Sequence, residues 1–180
     1  MNIIKHELDV YLLAPKIIND QRGLFVIPFS VQDLQELGLE WRSTFQLNHS
    51  VTTYKGTVRG PNYQEEPYSQ AKIIRCVRGR LYSVGINIDQ NSAHFGKYVG
   101  FELSAENRNV MYLPKTYAHG FVTLEDETEL EYLTDNEYCL ESAKSIKWNE
   151  LGIDWTVGGQ VKVRTDVMSE KNINAPPLKH

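Results

Sequence analysis

Between residues 81 and 89, apolar Tyr82, Val84, Ile86 and Ile88 alternate with Ser83, Gly85 and Asn87. This is the two-residue period of a β-strand with unlike faces. Val99, Phe101 and Leu103 repeat it around Gly100 and Glu102. Shorter apolar runs at 72–77, 110–113, 120–124 and 130–133 read as further strands. They are separated by the turn-forming stretches Arg78-Gly79, Asp89-Gln90-Asn91, Ala105-Glu106-Asn107 and Leu113-Pro114. One segment has a helical pattern instead, residues 31–38. There Ser30 is placed as N-cap, Leu34 and Leu37 share a face, and Gly38 stands at the stop position. Many short strands and one early helix predict an all-β sandwich or jelly-roll barrel, and the alternation alone does not choose between the two. The stretch from Gly158-Gly159 to Ala175-Pro176-Pro177 reads mainly as loop or tail.

A chain of 180 residues without repeat, linker or low-complexity tract predicts one domain, residues 1–180. Net charge is −4 and mean hydropathy −0.41, values of an ordinary soluble domain. Lys and Arg are scattered rather than gathered into a basic stripe, which argues against nucleic acid as a partner. No run approaches the ~18 apolar residues of a membrane span, and the N-terminus lacks the pattern of a secretory leader. The expectation is a cytoplasmic protein. Cys76 and Cys139 then read as free thiols, and the sequon Asn48-His49-Ser50 as idle. The five histidines, His6, His49, His94, His119 and His180, are dispersed with no His-x-His pair. That predicts neither metal nor cofactor.

A longer pattern overlies these elements. It comprises Asp20-Gln21-Arg22-Gly23-Leu24-Phe25, Gln46-Leu47-Asn48-His49-Ser50, Val58-Arg59-Gly60 with Gln64, Lys72, Ala118-His119-Gly120-Phe121, Trp148-Asn149, Gly152-Ile153 and Trp155. In order and spacing it resembles the dTDP-4-dehydrorhamnose 3,5-epimerase family from about residue 20 to 176. The resemblance implies a cupin-type jelly roll, a homodimer without metal, and a nucleoside-diphosphate 4-keto-6-deoxyhexose as substrate. The reaction it implies removes a proton beside the C4 ketone and returns one from the opposite face. That chemistry needs a base, a donor and a cation for the enolate oxygen.

Mapped onto this sequence, Lys72 takes the enolate position and Tyr132 that of the proton donor. Arg22 and Arg59 take the anionic parts of the substrate, since a guanidinium fork pairs with phosphate oxygens. Gln46, His119 and Tyr138 take further substrate contacts. Two positions depart together: Asn62 stands where the family has its base His, and Asn172 where it has the Asp partner. A carboxamide cannot take up a proton at neutral pH, so the resemblance implies an isomerase with altered or restricted activity. A non-catalytic nucleotide-sugar-binding or scaffolding homologue is the alternative. For single residues the bland readings are a core Tyr132, a hydrogen-bonded structural His119 and a solvated Lys72. His49 and the pair Glu65 and Glu66 are candidate substitute acid–base groups, against the bland readings of a tripeptide residue the family itself carries and of a loop tip.

Overall fold

The computed structural model describes residues 1–42 and 46–179. Four strands open the chain: β1 (Asn2–Glu7), β2 (Val10–Ala14), β3 (Lys16–Asp20) and β4 (Gly23–Ile27). Helix α1 (Val31–Glu36) follows, then β5 (Gln46–Thr52), β6 (Val58–Gln64), β7 (Lys72–Arg78) and β8 (Arg80–Asn87). The series continues through β9 (Tyr98–Ser104), β10 (Val110–Leu113), β11 (Tyr117–Thr123), β12 (Thr128–Thr134), β13 (Ala143–Ser145) and a one-turn helix α2 (Glu170–Ile173). A six-stranded sheet has the order β1-β2-β10-β7-β12-β5, a five-stranded sheet the order β13-β6-β11-β8-β9, and β3 and β4 form a two-stranded sheet. The expected jelly-roll architecture of two antiparallel sheets face to face is present. Among the described residues no helix is long and apolar enough to cross a membrane.

Helix α1 forms where its capping signals lie. The Ser30 side chain accepts from the Asp33 N–H, and Gly38 takes φ +70° beyond the last turn. The Leu39 N–H then reaches the Leu34 carbonyl at 2.9 Å and the Gly38 N–H the Gln35 carbonyl at 3.0 Å, a complete Schellman closure. Leu34 is fully buried against Leu13, Ile73, Val110 and Tyr112, so the helix caps the outer face of the larger sheet.

Between the sheets lie Ile74, Cys76, Met111, Leu113 and Leu130 from one side and Leu81, Val99, Phe101, Leu103, Tyr117 and Phe121 from the other. The alternation in β8 has an outcome its polarity does not suggest. Ser83 and Asn87 are buried too, at 0% and 4% exposure. They sit on the inward face with Leu81 and Gly85, where a Cβ at Gly85 would come 2.3 Å from Leu113 Cδ1. The apolar face, Val84 and Ile86, packs outward beneath Ile146, Ile153, Trp155, Val161 and Met168 of the C-terminal segment. Both faces of a central strand are covered here, so its polar side marks the interior and not solvent.

Three expectations change. Strands β1 to β6 and β13 carry little alternation, because several are edge or hairpin strands and β6 contains Gly60 and Pro61. A second helix, α2, joins α1. The last stretch is no tail: Val161, Met168, Asn172 and Ala175 are buried, Val161 and Met168 in the cluster of Val58, Val84 and Val122 of the smaller sheet.

Candidate active site

Strand β6 is flanked by β11 and β13, which sets Asn62 opposite both His119 and Ser145. The approach is close. Gly60 has φ +83°, and a Cβ there would lie 2.6 Å from the His119 carbonyl oxygen, so only glycine fits. Asn172 arrives from α2, whose N-cap Ser169 accepts from the Asn172 N–H. The C-terminal segment carrying it is anchored by Trp155, whose Nε1 donates to the Trp148 carbonyl at 2.6 Å. The Asn172 Oδ1 accepts from the Gly60 N–H at 3.3 Å and from the Ser169 hydroxyl at 2.9 Å. Its Nδ2 donates to Asn62 Oδ1 at 3.3 Å, which also accepts from the Ser145 hydroxyl at 2.6 Å. Residues 110 positions apart in sequence are thus joined through their side chains.

Asn62 borders a cavity of about 210 Å³ that Arg59, Lys72, His119, Tyr132 and Tyr138 also line. Lys144 and Lys171 complete a set of four cations among the described residues, none of which brings a carboxylate to the cavity lining. For a chain of net charge −4 this is a local reversal of sign, suited to an anion. Lys72 opens β7 at 6% exposure, and its Nζ donates to the Gln70 carbonyl at 3.3 Å. Burial pushes its ammonium down to about 8, partly opposed by the charge of Asp135. His119 is held down at about 3, first by burial and then by the Lys72 charge, so it is neutral across the physiological range. Its Nε2 lies 2.9 Å from the Ser83 hydroxyl. The Tyr132 phenol is raised, chiefly by burial, with Arg59 opposing. It is therefore a protonated phenol rather than a phenolate at neutral pH.

Of the residues named from sequence, Asn62, Lys72, Arg59, His119, Tyr132 and Tyr138 meet at this cavity, with Asn172 behind Asn62. Gln46 acts one step away: its Oε1 accepts from the Tyr138 N–H at 3.1 Å. Arg22 is not brought to the cavity. It sits on the β3–β4 turn, 91% exposed, paired with Asp20. His49 points from the opposite face of β5, between Glu129 at 3.3 Å and Glu131 at 3.5 Å, while its neighbour Ser50 lines the cavity. Glu65 and Glu66 lie outside it as well, paired with Lys144 and with Lys115 and Arg42. His180 lies outside the described residues. Both cysteines are free, and no cluster of metal-binding side chains occurs among the described residues.

Sequence reading missed Lys144, Lys171, Ser145 and Ser83. Lys171 adjoins Asn172 and was within reach of a local argument. Lys144 and Ser145 required the β13–β6 register.

The family model described as dTDP-4-dehydrorhamnose 3,5-epimerase matches residues 6–180. The chain belongs to that family. A dTDP-4-dehydrorhamnose 3,5-epimerase of Shigella flexneri is 39% identical over 178 residues, 97% of this chain and 98% of the relative. A crystal structure of the Bacillus anthracis epimerase with TDP and PPi bound superposes with TM-score 0.89 at 31% identity, covering 98% and 99% of the two chains. The Legionella pneumophila epimerase in complex with dTDP-4-keto-L-rhamnose gives TM-score 0.87 at 35% identity, covering 98% and 92%. As an epimerase-family protein with the cupin-like fold of these structures, the chain has its cationic cavity on β6, β7, β11, β12 and β13, with Lys171 added from α2.

Proposed function

We propose that the cavity binds a nucleoside-diphosphate 4-keto-6-deoxy sugar, and that the chain is a nucleotide-sugar isomerase whose proton transfer does not use a His–Asp base. The observation carrying this is a cavity with four cations, one of them a buried amine, and a phenol, with no carboxylate among the described residues that line it. Arg59, Lys144 and Lys171 suit the diphosphate, and the exposed Tyr138 ring offers the base a flat apolar face. Lys72, charged below about pH 8, lies deeper and stabilises an enolate oxygen. Tyr132 supplies a proton. Asn62 and Asn172 occupy the positions where family resemblance puts the base and its partner, and neither ionises. The expected activity is therefore slow or confined to one carbon. Loss of a positioned general base costs roughly 10²–10⁴-fold in rate.

A second copy is the expected partner. The β3–β4 hairpin exposes Ile17, Ile18, Leu24 and Phe25, an apolar surface suited to covering by another subunit. Arg22 rides on this hairpin, so its part in the site depends on where that hairpin docks.

The test is proton exchange in heavy water with dTDP-4-keto-6-deoxyglucose, followed by NMR at C3 and C5. Slow exchange or exchange at one carbon supports the proposal. Exchange at both carbons at the rate of the Shigella flexneri relative refutes it. Tight binding without exchange replaces it with a non-catalytic binding role.

A further inference from the structure

The two asparagines form a hydrogen-bond relay whose direction is set by the backbone. A backbone N–H can only donate, so Gly60, at 3.3 Å, requires an acceptor and turns the carboxamide oxygen of Asn172 toward itself. The amide nitrogen of Asn172 is then left to face Asn62, and it can only donate. Asn62 must answer with its oxygen, which the Ser145 hydroxyl also engages at 2.6 Å. One orientation of each carboxamide satisfies every contact. The Asn62 oxygen is occupied twice, while Nδ2 has no hydrogen-bond partner among the described residues. Asn62 itself is exposed to the cavity it borders.

We infer that Asn62 is a ligand-binding donor, offering an N–H to an acceptor oxygen of the sugar, and that Asn172 is the positioning residue that holds it in this sense. The same cavity is lined by Lys72, whose ammonium is also donor-only. A cavity arranged this way favours a sugar carrying an oxygen that only accepts, as a ketone or enolate does. A hydroxyl that must place its own proton is less well served. The inference rests on the nucleotide-sugar reading of the cavity and adds which polarity of sugar oxygen it selects.

The test compares dissociation constants for dTDP and dTDP-4-keto-6-deoxyglucose by calorimetry. It uses the full chain and three variants: Asn62→Ala, Ser145→Ala and Asn172→Asp. Asn62→Ala removes the donor. Ser145→Ala frees one of the two tethers on the Asn62 oxygen. Asn172→Asp keeps the acceptor for Gly60 and Ser169 but cannot donate, so the Asn62 amide must turn over and present its oxygen to the sugar. The expected result is about a tenfold loss of affinity for the keto sugar in Asn62→Ala and Asn172→Asp, with a smaller loss in Ser145→Ala. Taking dTDP as reference cancels both the added charge of Asn172→Asp and any general loosening, which act on the two ligands alike. A keto-sugar to dTDP affinity ratio unchanged in all three variants overturns the inference and leaves the nucleotide site standing. Failure of the unmodified chain to bind dTDP at all overturns the nucleotide-site reading and this inference with it.

Discussion

Replacing Asn62 by His and Asn172 by Asp together is expected to create a base that neither change creates alone. The carboxamide contact at 3.3 Å shows that side chains at 62 and 172 reach each other for a hydrogen bond. A carboxylate at 172 would inherit two donors already in place, the Gly60 N–H at 3.3 Å and the Ser169 hydroxyl at 2.9 Å. With Asn62→His alone, Asn172 still donates toward the ring, because its oxygen remains held by Gly60. The near ring nitrogen must then accept, so the far one carries the proton into the cavity. That is the wrong tautomer for a base, a fault that costs about 10⁴-fold in serine hydrolases deprived of their acidic partner. With Asn172→Asp alone there is no imidazole to orient, and a carboxylate joins a position only 6% exposed. The double variant should therefore raise exchange by roughly 10²–10⁴-fold, or about 2.7–5.4 kcal/mol of barrier, with each single variant within about tenfold of the unmodified chain. Deuterium incorporation into dTDP-4-keto-6-deoxyglucose, followed by NMR, gives the rates. A single Asn62→His variant that matches the double refutes the relay direction on which the reasoning depends.

Three further outcomes follow from the same structure. Lys72 is depressed to about 8 in the fold from an ordinary 10.5, so the folded chain holds fewer protons than the unfolded one between those values. Stability must rise with pH across that window, and wild type should gain about 3 kcal/mol on Lys72→Met between pH 7 and 10 in urea unfolding, as an upper bound; no gain would mean that the amine is solvated. His119 is held at about 3, so the unfolded chain binds the extra proton between about 3 and 6.5 and stability falls as pH drops through that range. His119→Gln should flatten that acid limb, and an unchanged limb would place the cause elsewhere. Met168→Ala, in the segment carrying Asn172, should cost about 2–5 kcal/mol and weaken keto-sugar binding more than an equally destabilising Leu34→Ala in α1, on the outer face of the larger sheet; equal effects would uncouple the segment from the site.

How much was legible depends on how local each signal is. The helix at 31–36 was readable because its cap, apolar pair and stop residue lie within nine positions. Strands β8 and β9 were readable from strict alternation, whereas β6 was hidden by Gly60 and Pro61, the glycine permitting close approach to β11. Alternation in β8 separated two faces without saying what covers each, and its polar face is interior. Cavity residues carried by an ordered motif, Lys72, Arg59, His119 and Tyr132, could be named in advance. Lys144 and Ser145 could not, because strand register brings them to the site.

The amino-acid order alone determined the β-rich class, the capped helix, the absence of an ionisable side chain at 62 and 172, and family membership through motif spacing. These are properties of residue type and interval. Only the tertiary structure decided that the two asparagines touch, that four cations gather in a chain of net negative charge, and which way each carboxamide points. Those depend on a Gly60 N–H and a C-terminal segment meeting across more than one hundred residues, and a distance through space has no signature in a one-dimensional pattern.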